Sequence, residues 1–220
     1  MKLLALETAN EQCSVCIVND TQILFNVLND QTRMQTQMLL PMVEQGLQTC
    51  QLTCDELTAI AFSRGPGSFS GVRINAAVTQ ALAWANDLPV VPVSTLQALA
   101  QAAYRLHGLT AVTAVLDARM QEVYIANFEL DEQHIMQLKD TEQMLSYADA
   151  AAQVQYPLVG SGALLVDDTA VFSDVKPTAE DIAVLGTYFV NEQQWVSAEH
   201  ALPIYLRDNA WKKIAEQGKQ

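Results

Sequence analysis

Apolar and polar positions along the chain change period several times, and each change marks an element. Residues 2–6, 12–18 and 22–28 are short apolar runs separated by turn residues such as Asn19 and Asp20, which predicts three hairpin-linked strands. A helix is expected at about 32–48, then a strand at 58–63, a helix at 71–85 and a short strand near 89–92. The second half repeats the order: a helix near 95–106, strands at 111–117, 122–129 and 134–138, a helix near 141–152, a strand at 157–160 and a helix near 178–192.

Three hairpin-linked strands followed by alternating helix and strand, twice over, predict an α/β fold of two ribonuclease-H-like subdomains, each a mixed sheet flanked by helices. This is the actin-like architecture of sugar kinases and heat-shock ATPases. The expected division is 1–94 and 95–220, with the last helix packing back on the first subdomain.

The segment 63–77, SRGPGSFSGVRINAA, joins a strand to a helix. Gly65, Pro66 and Gly67 fit a type II turn, with Gly67 supplying the positive φ. Ser68 and Ser70 are candidate N-caps, with Phe69 and Gly71 completing the loop. Free backbone N–H groups at such a helix start can hold an anion, or a piece of neighbouring backbone. No Lys-Ser/Thr pair follows, so the loop is not a Walker A sequence, and its glycines are not spaced as a dinucleotide fingerprint. Arg73 opposes the dipole in the first turn, which a carboxylate or phosphate would offset; a solvated arginine after an ordinary turn is the alternative.

The helix at 32–48 carries two apolar arcs, Met34, Met38 and Met42 on one and Leu40, Val43 and Leu47 on the other. One arc can serve the core and the other a partner, and methionine suits adaptable contacts. The helix at 71–85 is apolar nearly all round. Both helices could instead be buried within one domain. Pro41 predicts a kink or a late start.

Half of the residues are hydrophobic, enough for a packed core, and the net charge is −13. Counterion release rewards basic surfaces, so this chain alone is a poor grip for nucleic acid. The opening MKLLALE meets an acid too early for a signal peptide, and no apolar run approaches the ~18 residues of a membrane span. A cytoplasmic chain is expected. Cys13 and Cys16, and Cys50 and Cys54, have nearly the spacing of zinc ligands, but a strand sends Cys13 and Cys16 to opposite faces, so free thiols are expected. His107, His134 and His200 lie far apart in sequence, and no metal site is expected. Asp117 and Glu122 flank a hairpin, as a carboxylate pair or as ordinary turn acids.

The 63–77 loop resembles the GPGSFTGxRIG signature of the TsaB (YeaZ) family. Further landmarks resemble that family in the same order: the opening strand through Thr8, LLPMV at 39–43, VVPVSTL at 90–96, DARMQEVY at 117–124 and PIYLR at 203–207. The resemblance implies an actin-like fold without an autonomous active site, a homodimer in isolation, and no cofactor bound by this chain alone. It implies a TsaD-like catalytic subunit and a TsaE-like ATPase as partners, which carry ATP and metal. Together they would transfer threonylcarbamoyl to the adenosine beside the anticodon of tRNAs reading codons that begin with A, with tRNA met only through the complex. Glu7, Gln35 and Asn75 depart from the family pattern of Asp, His and Gly, which puts hydrogen bonding by those side chains in doubt.

No catalytic residue is assigned. The candidate partner interface is Met34, Met38, Met42, Arg73, Ala77, Gln80, Ala81 and Trp84. The rival is an autonomous ATP-binding, actin-like small-molecule kinase. Nucleotide phosphates need glycine turns after the first strand of each half, whereas Glu7–Asn10 and Asp117–Met120 contain none. VGSGA at 159–163 is either a remnant of an adenosine-binding turn or an ordinary glycine turn.

Overall fold

The computed structural model describes residues 1–206. Strands β1 (Lys2–Glu7), β2 (Cys13–Asn19) and β3 (Gln22–Asn29) form an antiparallel meander. Helix α1 (Gln35–Cys50), strand β4 (Ala59–Gly65), helix α2 (Phe69–Asn86) and strand β5 (Val90–Ser94) follow, giving a sheet in the order β3-β2-β1-β4-β5 with β4 and β5 parallel to β1. Parallel neighbours require crossovers, and α1 and α2 supply them.

Central strands are buried on both faces, which is why β1 is apolar from Leu3 to Leu6. Leu4 and Leu6 point to one side, into a core shared with Leu39, Met42 and Val43 of α1 and Ala76 and Ala83 of α2. Leu3 and Ala5 point to the other, against Ile182 and Leu185 of a helix from the far end of the chain.

Helix α3 (Thr95–His107) leads into the second sheet. Strands β6 (Ala111–Arg119) and β7 (Glu122–Leu130) pair antiparallel, β8 (Met136–Leu138) and β9 (Gln143–Ser146) both line the outer edge of β7, and β10 (Leu158–Val159) runs parallel to β6. A single parallel bridge, Val159 to Phe172, stands where the first sheet has a fifth strand. Residues Thr95 to Ala103 of α3 are buried without exception, because Ala98 faces the first sheet while Leu96, Leu99 and Ala102 face the second.

Short helices α4 (Tyr147–Ala151) and α5 (Ala163–Val166) cover the second sheet. Helix α6 (Ala179–Asn191) then returns to the first. Gly186 allows that return, since a Cβ there would crowd Ala61 of β4. Thr178 and Asp181 form a capping box at its start, and Arg105 of α3 grips Asp181 through Nε (2.8 Å) and Nη2 (2.9 Å).

The helix expected near 178–192 is α6, and it packs back on the first sheet, because its apolar stripe fills the face that α1 and α2 leave open. Two other expectations are corrected. The helix expected at 141–152 is a strand followed by a five-residue helix, because residues 143–146 extend the pairing of β7. Helix α1 begins at Gln35 rather than 32, and it runs through Pro41. Pro41 is exposed, as is Gln37, whose carbonyl would have received the missing N–H, so water can take that place. Arg207 of the closing motif lies outside the described residues. Among the described residues, no helix is long and apolar enough to cross a membrane.

Candidate functional site

The glycine loop carries β4 into α2. Positive φ falls on Gly65 (+102°), the Gly65–Pro66 peptide is cis, and Gly67 has no positive φ, so the expected type II turn is absent. Gly67 is required for space instead: a Cβ there would overlap the Ala9 carbonyl oxygen. Ser68 is the N-cap, accepting from Gly71 N–H at 3.4 Å, while Phe69 and Ser70 already lie in the helix.

The helix start holds backbone of its own chain. Ser68 N–H donates to the Ala9 carbonyl at 2.7 Å, and the Thr8 hydroxyl donates to the Gly71 carbonyl at 2.8 Å. A Cβ at Gly71 would overlap the Thr8 carbonyl oxygen. Of the two occupants that the sequence allowed, the end of β1 fills the place where an anion would sit. Among the described residues Arg73 meets no carboxylate either. Its Nη1 donates to the Phe69 carbonyl at 2.8 Å, and its guanidinium carbon lies 3.4 Å from the centre of the Phe69 ring and 4.9 Å from that of Tyr205. The electron-rich ring faces supply the negative potential expected of a carboxylate or phosphate.

Beneath the loop lies a buried polar triad. Asn75 Nδ2 donates to Ser63 Oγ (2.8 Å), the Ser63 carbonyl (3.2 Å) and the Leu6 carbonyl (3.1 Å), tying α2 to β4 and β1. Glu7 accepts from Ala9 N–H at 2.6 Å, and burial pushes its carboxyl up to about 7 against the opposing hydrogen bond from Ser63. Glu7 Oε2 and Asn75 Oδ1 have no hydrogen-bond partner among the described residues. Gln35 Nε2 donates to the carbonyls of Asn10 (3.2 Å) and Glu11 (3.3 Å), holding the β1–β2 turn. All three departures from the family pattern therefore make hydrogen bonds.

The corresponding turn of the second half runs through three consecutive left-handed residues and carries exposed side chains. Arg119, Met120 and Gln121 all have positive φ, and Arg119 folds back on Asp117 at 2.8 Å. Asp117 thus pairs with an arginine. In the 159–163 segment, a Cβ at Gly160 would lie 2.6 Å from the Val115 carbonyl oxygen, and one at Gly162 would lie 2.6 Å from Val115 Cγ1. Packing on β6 accounts for both glycines. Cys13 and Cys16 occupy opposite faces of the first sheet, and burial pushes their thiols up to about 11 and about 12. No group of three or more metal-ligating side chains is assembled among the described residues.

The family model for tRNA N6-adenosine threonylcarbamoyltransferase (TsaD) matches residues 22–186. The tRNA threonylcarbamoyladenosine biosynthesis protein TsaB of Escherichia coli is 38% identical over 97% of this chain and 98% of its own length. The protein of the same name from Haemophilus influenzae is 36% identical over 97% of each. The chain belongs to the TsaB family. A crystal structure of YeaZ from Pseudomonas aeruginosa superimposes with a TM-score of 0.85 at 37% identity, over 93% of this chain and 99% of that one. A second Pseudomonas structure, described as similar to peptidase YEAZ, gives 0.87 at 38% identity over 94% and 99%. The actin-like α/β fold and the family named from the glycine loop both stand.

In this TsaB-family chain the outward faces of α1 and α2 lie side by side over the first sheet. Along α2, Phe69, Arg73, Ala77 and Ala81 follow at helical spacing and lead to Trp84. Phe69 and Trp84 are 66% and 71% exposed, so α2 is not buried within one domain. Gln80 is half-buried and donates to the Glu199 carbonyl at 3.4 Å. Met34 is half-buried, and Met38 packs partly on the core. Met42 is a correction to the expected contact set: it is 3% exposed, because Leu39, Met42, Val43 and Gly46 form the inward side of α1. Leu40 takes the outward place, at 51% exposure. Sequence reasoning kept Phe69 as a loop residue only; its spacing of four from Arg73 was the signal that it shares the outward stripe.

Proposed function

We propose that this chain is the non-catalytic, activating subunit of the complex that transfers threonylcarbamoyl to the adenosine beside the anticodon of tRNAs reading A-starting codons. The observation that carries this is the filled helix start. Thr8 and Ala9 occupy the space above Gly67 and Gly71 where phosphate would have to approach, so chemistry on a nucleotide falls to a partner. The names of the relatives place their proteins in the same biosynthesis.

The contact surface is the outward side of α1 and α2: Met34, Met38, Leu40, Phe69, Ala77, Ala81 and Trp84, edged by Arg73 and Gln80. Its occupant is a TsaD-like catalytic subunit, with a TsaE-like ATPase joining the pair. ATP and metal reside on those partners, and tRNA is met only in the complex, in keeping with a net charge of −13. In isolation the same apolar face pairs with a second copy about a two-fold axis.

The test mixes the purified chain with the TsaD-like protein of the same source and measures mass by size exclusion with light scattering. Each protein alone, and both together, are then assayed for tRNA modification with ATP and the threonylcarbamoyl donor. A discrete complex, with activity only when both are present, is expected. No complex, or turnover by this chain alone, overturns the proposal.

A further inference from the structure

A β-bulge delivers the Arg64 side chain to the wall of a cavity. Pairing between β4 and β5 steps from Ser63 with Val93 to Gly65 with Ser94, leaving Arg64 as the extra residue. Bulges re-aim the side chain that they extrude. This one is fixed from behind, since the Arg64 carbonyl accepts Ile204 N–H at 2.9 Å. Arg64 lines a cavity of about 320 Å³ at the β5 edge beside α6, together with Ser94, Gln97, Phe189, Gln194 and Trp195.

Lys2, Arg105, Arg119, Lys139 and Lys176 each pair with a carboxylate. Arg64 has no ion pair among the described residues, and its Nε is buried without a hydrogen-bond partner. Most such buried donors are satisfied, so one left open beside a cavity points to a ligand. Glu142 stands close enough for the Arg64 charge to act on its carboxyl, but it accepts from the Ser94 hydroxyl and forms no ion pair with Arg64.

We propose that this cavity binds a small organic monocarboxylate with an apolar or aromatic body, its carboxylate on Arg64 and its body against Phe189 and Trp195. The guanidinium fork matches the two oxygens of a carboxylate. A phosphate dianion fits less well, for it needs more donors and a second cation. Gln97 Nε2 is committed to the Met136 carbonyl (2.9 Å) and the Ser94 hydroxyl to Glu142, while the Glu142 carboxylate repels added negative charge. The volume lies at the lower end of small-molecule pockets, which sets the ligand at the size of a single amino acid or aromatic acid. This site uses none of the residues of the α1–α2 surface and stands independently of the partner proposed above.

The experiment titrates the full chain with benzoate, phenylpyruvate and 4-methylpentanoate, and with acetate and inorganic phosphate, following the Nε–Hε resonance of Arg64 by NMR. The resonance is assigned by its loss in Arg64→Met. Saturable shifts are expected for the acids with bodies, at a Kd of about 1 mM or tighter. Acetate and phosphate should bind at least about tenfold more weakly. Trp195→Ala should weaken the aromatic acids by a similar factor without changing the melting curve or partner binding. Ligand-observed saturation transfer on Arg64→Met should show the acids released; if that variant does not fold, Arg64→Lys replaces it and should weaken binding. Absence of any shift, phosphate binding as tightly as benzoate, or full binding by the arginine and tryptophan variants each overturns the proposal.

Discussion

Thr8 and Gly71 lock β1 to α2 by two contacts of opposite kind. The Thr8 hydroxyl donates to the Gly71 carbonyl at 2.8 Å, while the Thr8 carbonyl oxygen fills the space that a Cβ at position 71 would need. The hydrogen bond fixes the approach, and the missing side chain permits it.

Gly71→Ala should therefore cost about 2–4 kcal/mol in urea unfolding, because backbone and not a pliable side chain must give way. Gly108 provides the contrast. It has φ +68° and nothing within 4 Å of an added Cβ, so Gly108→Ala should cost only about 1–2 kcal/mol, through its backbone conformation. Equal losses at the two sites would show that crowding is not what Gly71 relieves.

Glu7 makes stability depend on pH. Its carboxyl is pushed to about 7 when folded, from 4.5 when free, so between these values the folded chain holds a proton that the unfolded chain has released. Stability should fall as pH rises through that window and level off above it, a loss on the order of 3 kcal/mol. Asp181, also raised by burial though opposed by Arg105, adds a loss of the same sign. Glu7→Gln should remove the Glu7 part, which unfolding midpoints at pH 5 and pH 8 would register as a flatter difference. A variant with the parental slope would exclude Glu7 as the source.

How much of this was legible in the sequence differs from element to element. The succession of strands and helices and the fold class followed from hairpins and crossovers, since β1, β4 and the turn at Asn19 and Asp20 carry their own local signals. The return of the last helix to the first sheet was expected without a local signal, for nothing in its own stripe says which of two sheets it covers. The loop's occupant was undetermined for the same reason: Gly67 and Gly71 announce a close approach but not what approaches. Met42 was misplaced by grouping it with Met34 and Met38 by residue type, when its neighbour Val43 marked the inward side.

Partner binding should separate surface from core on α1 and α2. Ala77→Glu and Ala81→Glu should leave the melting curve within about 0.5 kcal/mol of the parent yet abolish the complex. Trp84→Ala should weaken it by about 2 kcal/mol or more. Met42→Glu should unfold the chain, and half-buried Met38→Glu should lose both stability and binding. Unfolding of the two alanine variants would place that stripe in the core.

Thiol labelling should be graded in the same way. Cys13 and Cys16, buried and pushed to about 11 and about 12, should resist alkylation at pH 8 at any rate faster than unfolding. Cys50 and Cys54 are partly exposed and should react first. Mass spectrometry of early time points decides the order, and early labelling of Cys16 would contradict its burial.

The return of α6 also has a consequence for synthesis. Leu3 and Ala5 leave the ribosome long before the helix that covers them, with Ile182 and Leu185, is made. At ~5–20 residues per second the first sheet waits on the order of ten seconds or more with one apolar face open. The nascent chain is thus a client for chaperones over most of its translation, and truncations that stop before Ala179 should be insoluble although both sheets are complete.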